Sequence, residues 1–170
     1  MALISRCSAL CLSLVLCAAA PAAAQVPAPP ATAPVQAPSQ GDLIPEFDAA
    51  AAIGGETRRI AFPKGSSTVL LFFLSGCPTC HRMIPEWNRA YERRPPGLRV
   101  VGVLMDQEPP GFFATMPIAF PVVRSPGREW LNAHTIRRAP LTLRVGPGGK
   151  VEDAELGIID PIRLGAIFRP

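Results

Sequence analysis

The sequence predicts an α/β fold with a central mixed β-sheet flanked by helices, and three observations carry that prediction. Residues 68–74 (TVLLFFL) and 98–105 (LRVVGVLM) are apolar runs of strand length, the pattern of strands buried on both faces. Between them, residues 78–94 place Met83, Trp87, Ala90 and Tyr91 at helical spacing. Further on, residues 141–145 and 151–158 flank Gly146-Pro147-Gly148-Gly149, a hairpin signal.

Strand, helix and strand in that order imply a right-handed parallel crossover. Pro85 inside the helical segment removes one backbone donor and crowds the preceding turn, so a kinked helix is expected. A proline-interrupted stretch follows through Pro117, then a short strand at 120–123 and a helix at 128–134. The hairpin adds antiparallel pairing to the parallel unit, and residues 161–168 form a closing helix.

The chain has 170 residues, enough for one domain and an extension. Residues 1–24 read as an export signal: Arg6, an apolar run over 9–20, and Ala22-Ala23-Ala24 as the small-residue cleavage pattern before Gln25. The run is shorter than the roughly 20 residues a spanning helix needs, which disfavours an uncleaved anchor. A lipoprotein at Cys17 is disfavoured because Leu16 stands where such signals want a small residue. Residues 25–41 form a Pro/Ala-rich linker that stays extended, and the folded domain occupies 42–170.

Of the five cysteines, Cys7, Cys11 and Cys17 leave with the signal, so Cys77 and Cys80 remain. In the periplasm, the compartment this signal predicts, such a pair can persist oxidised. A domain of this size buries a sufficient core without a short staple, and a two-residue loop makes a weak one. Without Arg6 the chain has 16 basic against 13 acidic residues, or +3. Its Arg58-Arg59, Arg93-Arg94 and Arg137-Arg138 pairs are scattered with no aromatic interleaving, which excludes a nucleic-acid surface. A monomer without stable membrane insertion is expected.

Cys77-Pro78-Thr79-Cys80 falls where the first buried strand ends and the helix begins. Unpaired N–H groups and partial positive charge at a helix N-terminus stabilise a thiolate. Cys77 is therefore the expected nucleophile, and Cys80 the thiol that resolves a mixed disulfide. Pro78 suits the first turn, Thr79 offers a hydroxyl near the Cys77 sulfur, and His81 can add positive charge. This chemistry needs protein thiol or disulfide clients and neither organic cofactor nor metal.

Two other chemistries fit the same residues. Cys77-Pro78-Thr79-Cys80-His81 satisfies the c-type haem pattern, with Met105 or Met116 as a second axial ligand, although the strand before the motif is unlike helical cytochrome domains. Cys77, Cys80, His81 and Met83 could instead hold Cu(I) as a metallochaperone does. Structural zinc wants a second ligand pair that is missing, since His134 is read as a surface helix residue. Arg82 is read as solvent-facing, and Trp87 and Trp130 as core packing.

The segment LLFFLSGCPTCHRMIPEWN resembles the active-site segment of the thioredoxin superfamily, and within it the TlpA and ResA group. LRVVGVLMD, FPVVRSPGREWLNAHTIRRAPLTLRVGPGGKV and Pro85, five residues after Cys80, extend the resemblance over 57–159. It implies a thioredoxin-like fold and a periplasmic thiol:disulfide oxidoreductase acting through Cys77 and Cys80. It also implies a membrane redox partner and clients such as apocytochromes, copper-site proteins or folding secreted enzymes. Pro140 of Ala139-Pro140-Leu141 corresponds to the family's cis-proline, which packs on the disulfide and offers backbone groups to substrate. Three positions depart: Gly76 replaces an aromatic, Leu71 a buried acid, and Met83 a glutamate. Glu86 lies on another helix face and does not substitute, so the direction of exchange stays open.

Overall fold

The structure is a computed structural model that describes residues 36–169; the expected signal at 1–24 and linker residues 25–35 lie outside the described residues. Its strands are β1 (Phe47–Ala50), β2 (Thr57–Ile60), β3 (Thr68–Phe73), β4 (Arg99–Leu104), β5 (Val122–Arg124), β6 (Leu141–Val145) and β7 (Val151–Leu156). Its helices are α1 (Pro78–Glu92), α2 (Phe112–Thr115), α3 (Arg128–Ala133) and α4 (Pro161–Ile167).

The main sheet has five strands in the order β5-β4-β3-β6-β7. β3 pairs parallel with β4 and antiparallel with β6, so the mixed sheet forms around it. Every residue of β3 is buried, as its unbroken apolar run requires of a strand covered on both faces. Alternate side chains go to opposite cores. Val69, Leu71 and Phe73 meet α1 and α4 through Met83, Ile84, Trp87, Leu164 and Ile167. Leu70 and Phe72 point the other way, toward Phe47, Ile60, Leu131 and Ile136.

α1 buries Cys80, Met83, Ile84 and Trp87, spaced i, i+3, i+4 and i+7, and it runs through Pro85 as one element. Trp87 Nε1 donates to Thr142 Oγ1 at 3.1 Å, giving the buried indole and hydroxyl a shared partner across to β6. Trp130 packs on Phe47, its ring centroid 4.6 Å away.

Several boundaries differ from the sequence reading. The strand expected at 120–123 lies at Val122–Arg124, because Phe120 turns inward onto the α1 core instead of joining the ladder. The tight turn of the β6–β7 hairpin is a short 3₁₀ turn at Pro147–Gly149, with Gly148 and Gly149 at φ +70° and +87°. A side chain on Gly149 would strike Ile44 O. The linker expected over 25–41 is not free at its end: Pro38 is buried, Gly41 N donates to Val151 O, and Arg137 N donates to Gln36 O. The β1–β2 hairpin and α2 were not anticipated, being only four residues each.

Gly102 in the middle of β4 exists to admit aromatic rings. A Cβ there would stand 2.7 Å from Phe120 Cε2 and 3.2 Å from Phe73 Cε1, whereas one on Gly76 would meet nothing within 4 Å. Urea unfolding should find Gly102→Ala destabilised by about 1–3 kcal/mol through overpacking. Gly76→Ala should stay within about 0.5 kcal/mol of the unaltered chain. Equal stability of the two variants would contradict this packing.

Candidate active site

Between β3 and α1 the chain turns through Leu74, Ser75 and Gly76, and Cys77 then caps the helix. Its backbone is extended at φ −91° and ψ 112°, and its N–H donates to Leu74 O at 3.3 Å. Cys77 Sγ accepts the N–H of Cys80 at 3.2 Å and lies 3.1 Å from Thr79 Oγ1. Sulfur thus takes the role that a serine or aspartate oxygen plays at most helix starts. Pro78 occupies the first helical position, where its missing donor costs no hydrogen bond.

The two sulfurs differ sharply. Cys77 is half-buried, Cys80 is wholly enclosed, and both are free thiols. Burial pushes the Cys77 thiol up, but hydrogen bonds from Cys80 and Thr79 outweigh it and hold the group below the ordinary cysteine value. Burial pushes Cys80 up to about 12, aided by its hydrogen bond to Cys77 and by the negative charges of Cys77 and Asp106. One sulfur is therefore poised to ionise while its neighbour keeps its proton.

The turn itself is held from both sides. The β3–β4 ladder ends at the pair Phe73–Leu104, and two residues further along both strands Ser75 faces Asp106. Ser75 N donates to Asp106 Oδ1 at 2.9 Å and to Oδ2 at 3.1 Å, and Ser75 Oγ donates to Oδ2 at 2.9 Å. From the helix side, His81 Nε2 donates to Ser75 O at 2.6 Å, with the tautomer assigned from that contact. The ring expected to bring charge to the sulfurs has one nitrogen engaged on the turn.

Neither Ser75 nor Asp106 was singled out from the sequence. The available signal was an acid directly after the apolar run of a strand parallel to the motif strand, where the two C-terminal ends must lie side by side. Leu71 and Met83, where the resemblance led one to expect acids, are 0 % and 1 % exposed. Glu86 pairs with Arg89 on α1.

The peptide bond Ala139–Pro140 is cis. Pro140 is buried, and its carbonyl accepts Gly157 N–H at 2.8 Å. Ala139 and Cys77 pack against the same apolar cluster, to which Cys80 belongs. Among the described residues, the N–H and C=O of Ala139 enter no backbone hydrogen bond. Leu156 and Ile158, on either side of Gly157, are 39 % and 50 % exposed.

Of the residues considered for haem or copper, Cys80 and Met83 lie in one core cluster with Cys77 and Met116 packed against it, and Met105 packs against the other. Met83 is sealed beneath α1. Among the described residues, no group of three or more His, Cys, Asp and Glu gathers to hold a metal ion. His134 lies against Trp130, ring centroids 4.7 Å apart, and its burial lowers its pKa.

The profile of the AhpC/TSA family matches residues 40–154. Sporulation thiol-disulfide oxidoreductase A of Bacillus subtilis is 25% identical over 130 residues, covering 72% of this chain and 78% of that protein. The crystal structure of StoA from Bacillus subtilis superposes with a TM-score of 0.62 at 23% identity, over 74% of this chain and 98% of that one. The pneumococcal exposed lipoprotein thioredoxin Etrx1 of Streptococcus pneumoniae gives 0.62 at 18% identity, over 72% and 97%. These two structures share the fold.

Alkylation and two variants check the site. Iodoacetamide at neutral pH should modify the reduced chain starting at Gln25, which holds only Cys77 and Cys80, once, at Cys77, and mass spectrometry that found Cys80 labelled first would contradict the geometry. Thr79→Val should move the midpoint of the alkylation–pH profile upward, because it removes a donor to the thiolate. Asp106→Ala should lower stability in urea by about 1.5–3 kcal/mol, as expected for hydrogen bonds to a charged acceptor. It should also bring the Cys80 titration down from about 12, since a neighbouring negative charge is gone.

Proposed function

The chain belongs to the AhpC/TSA family, and from that membership we propose that it is an exported thiol:disulfide oxidoreductase exchanging the Cys77–Cys80 pair with protein clients. The observation that carries this reading is the unequal pair at the start of α1. Cys77, half-buried and capping the helix, favours the thiolate, and Cys80 sits enclosed one turn on as a thiol. Its relative in Bacillus subtilis is named for the same reaction.

In the reducing direction, the Cys77 thiolate attacks one sulfur of a client disulfide. A Cys77–client disulfide forms and the other client sulfur leaves as a thiolate. Cys80 then gives up its proton and attacks Cys77 Sγ, closing the Cys77–Cys80 disulfide and releasing the first client sulfur as a thiolate. Two electrons have passed to the client, and a dithiol of the membrane redox partner restores the pair by the same exchange. Oxidation of a client dithiol is the reverse sequence.

Thr79 and the Cys80 N–H hold the attacking sulfur, and Pro78 presets the first turn. His81 and Asp106 fix the turn that delivers Cys77. Ala139 offers its N–H and C=O to an extended client backbone, with Pro140 as its partner in positioning the client, beside the apolar cluster that holds Cys80 and against which Cys77 packs. Apocytochromes, copper-site proteins and folding secreted enzymes are the client classes. The segment 1–24 directs the chain to the periplasm, and among the described residues no helix is long and apolar enough to cross a membrane.

Cys77→Ser should reduce disulfide exchange to the uncatalysed rate, and Cys80→Ser should accumulate a mixed disulfide with client, seen as a mass adduct on a non-reducing gel. Full activity of Cys77→Ser would refute the reading. The rate should fall on the acid side of a midpoint below the ordinary cysteine value, because only the thiolate attacks and protonation removes it.

A further inference from the structure

A cleft of about 1260 Å³ opens beside the active-site turn, although neither sulfur lines it. Leu74 and Asp106 form one end; Leu74 O accepts Cys77 N–H, and Asp106 holds Ser75. Arg137 also lines it, and Arg137 stands two residues before the cis peptide. The cleft therefore spans from the cysteine turn to the segment that leads into Pro140.

Its floor is apolar, with Leu104, Leu131 and Ile136 nearly closed to water. Its rim is charged but unevenly balanced. The Asp106 carboxylate is taken up by Ser75. Glu108 is paired with Arg124, one contact being 2.6 Å, and that guanidinium holds the Glu108 carboxyl below the ordinary glutamate range. Arg128 and Arg137 are exposed and have no carboxylate partner among the described residues. Glu108 is thus neutralised by Arg124, and Asp106, hydrogen-bonded but not charge-paired, faces two unpaired cations, which leaves the rim net positive.

We propose that this cleft receives an acidic segment flanking the reactive cysteine of a protein client, with Arg128 and Arg137 meeting its carboxylates. The proposal rests on the reading of the chain as a thiol:disulfide oxidoreductase. An apolar floor suits the intervening side chains of such a segment, and unpaired guanidiniums suit carboxylates by charge and by their planar donor fork. A lysine-rich segment would meet repulsion at the same rim.

The test measures single-turnover exchange by the reduced full chain with three probes. One is bis(2-hydroxyethyl) disulfide, and the others are peptides with one cystine loop flanked either by glutamates or by lysines. At low ionic strength the glutamate peptide should react about tenfold faster than the lysine peptide, as electrostatic steering of encounter allows. The gap should close near 1 M salt, where the screening length falls to about 3 Å.

In the double variant Arg128→Glu/Arg137→Glu the preference should invert, with the rate on the uncharged disulfide unaltered. Arg128→Gln/Arg137→Gln should erase the preference, and it supplies the test if the reversed variant folds poorly. Equal peptide rates with the unaltered chain, or a glutamate preference that survives in the glutamine variant, overturn the proposal. If the unaltered chain fails to reduce the uncharged disulfide as well, the oxidoreductase reading itself is what falls.

Discussion

The carboxylate of Asp106 accepts from both the backbone N–H and the hydroxyl of Ser75, and the rest of the site depends on that contact. A turn leaving a central strand exposes backbone donors that need partners, and here a neighbouring parallel strand supplies one. The β3–β4 register brings the acid opposite the serine, so the sheet aims the turn. With Ser75 O also engaged by His81, the peptide groups before Cys77 are held on two sides. The sulfur then reaches the helix N-terminus in the extended conformation that lets it cap.

From that placement the division between the two thiols follows. Cys77 takes donors from Thr79 and the Cys80 N–H, which stabilise its anion, while Cys80 is surrounded by apolar side chains with Leu71 and Met83 in its cluster. Apolar burial penalises a charge on Cys80, and the anion beside it penalises a second one further. The absence of an acid at positions 71 and 83 leaves Asp106 as the carboxylate whose charge is felt at Cys80. It acts from the end of β4, outside both the motif strand and the motif helix.

Much of this was legible in the residues. The runs at 68–74 and 98–105 read as buried strands and are so, and of the α1 residues Met83, Trp87, Ala90 and Tyr91 that the periodicity named, the first two are buried and the last two half-buried. The mixed sheet followed from adding a glycine-rich hairpin to a parallel crossover. What escaped was set by tertiary contacts. β2 has Arg58 and Arg59 facing Glu46, Asp48 and Glu56, so no apolar alternation advertised it. The linker residues from Gln36 onward dock through backbone groups, which composition does not report. The role of Asp106 needed the register, because 31 residues separate it from Ser75.

The bond from Trp87 to Thr142 reaches further than its one donor and one acceptor suggest. Trp87 belongs to the helix that carries Cys80, and Thr142 lies two residues past Pro140 on β6. The nucleophilic wall and the proline wall are thus bolted together from below, inside a core that water does not enter. A single buried contact therefore ties the helix that begins at the cysteine pair to the strand that follows the cis peptide, so a substitution at either partner is felt on both sides of the sheet's end.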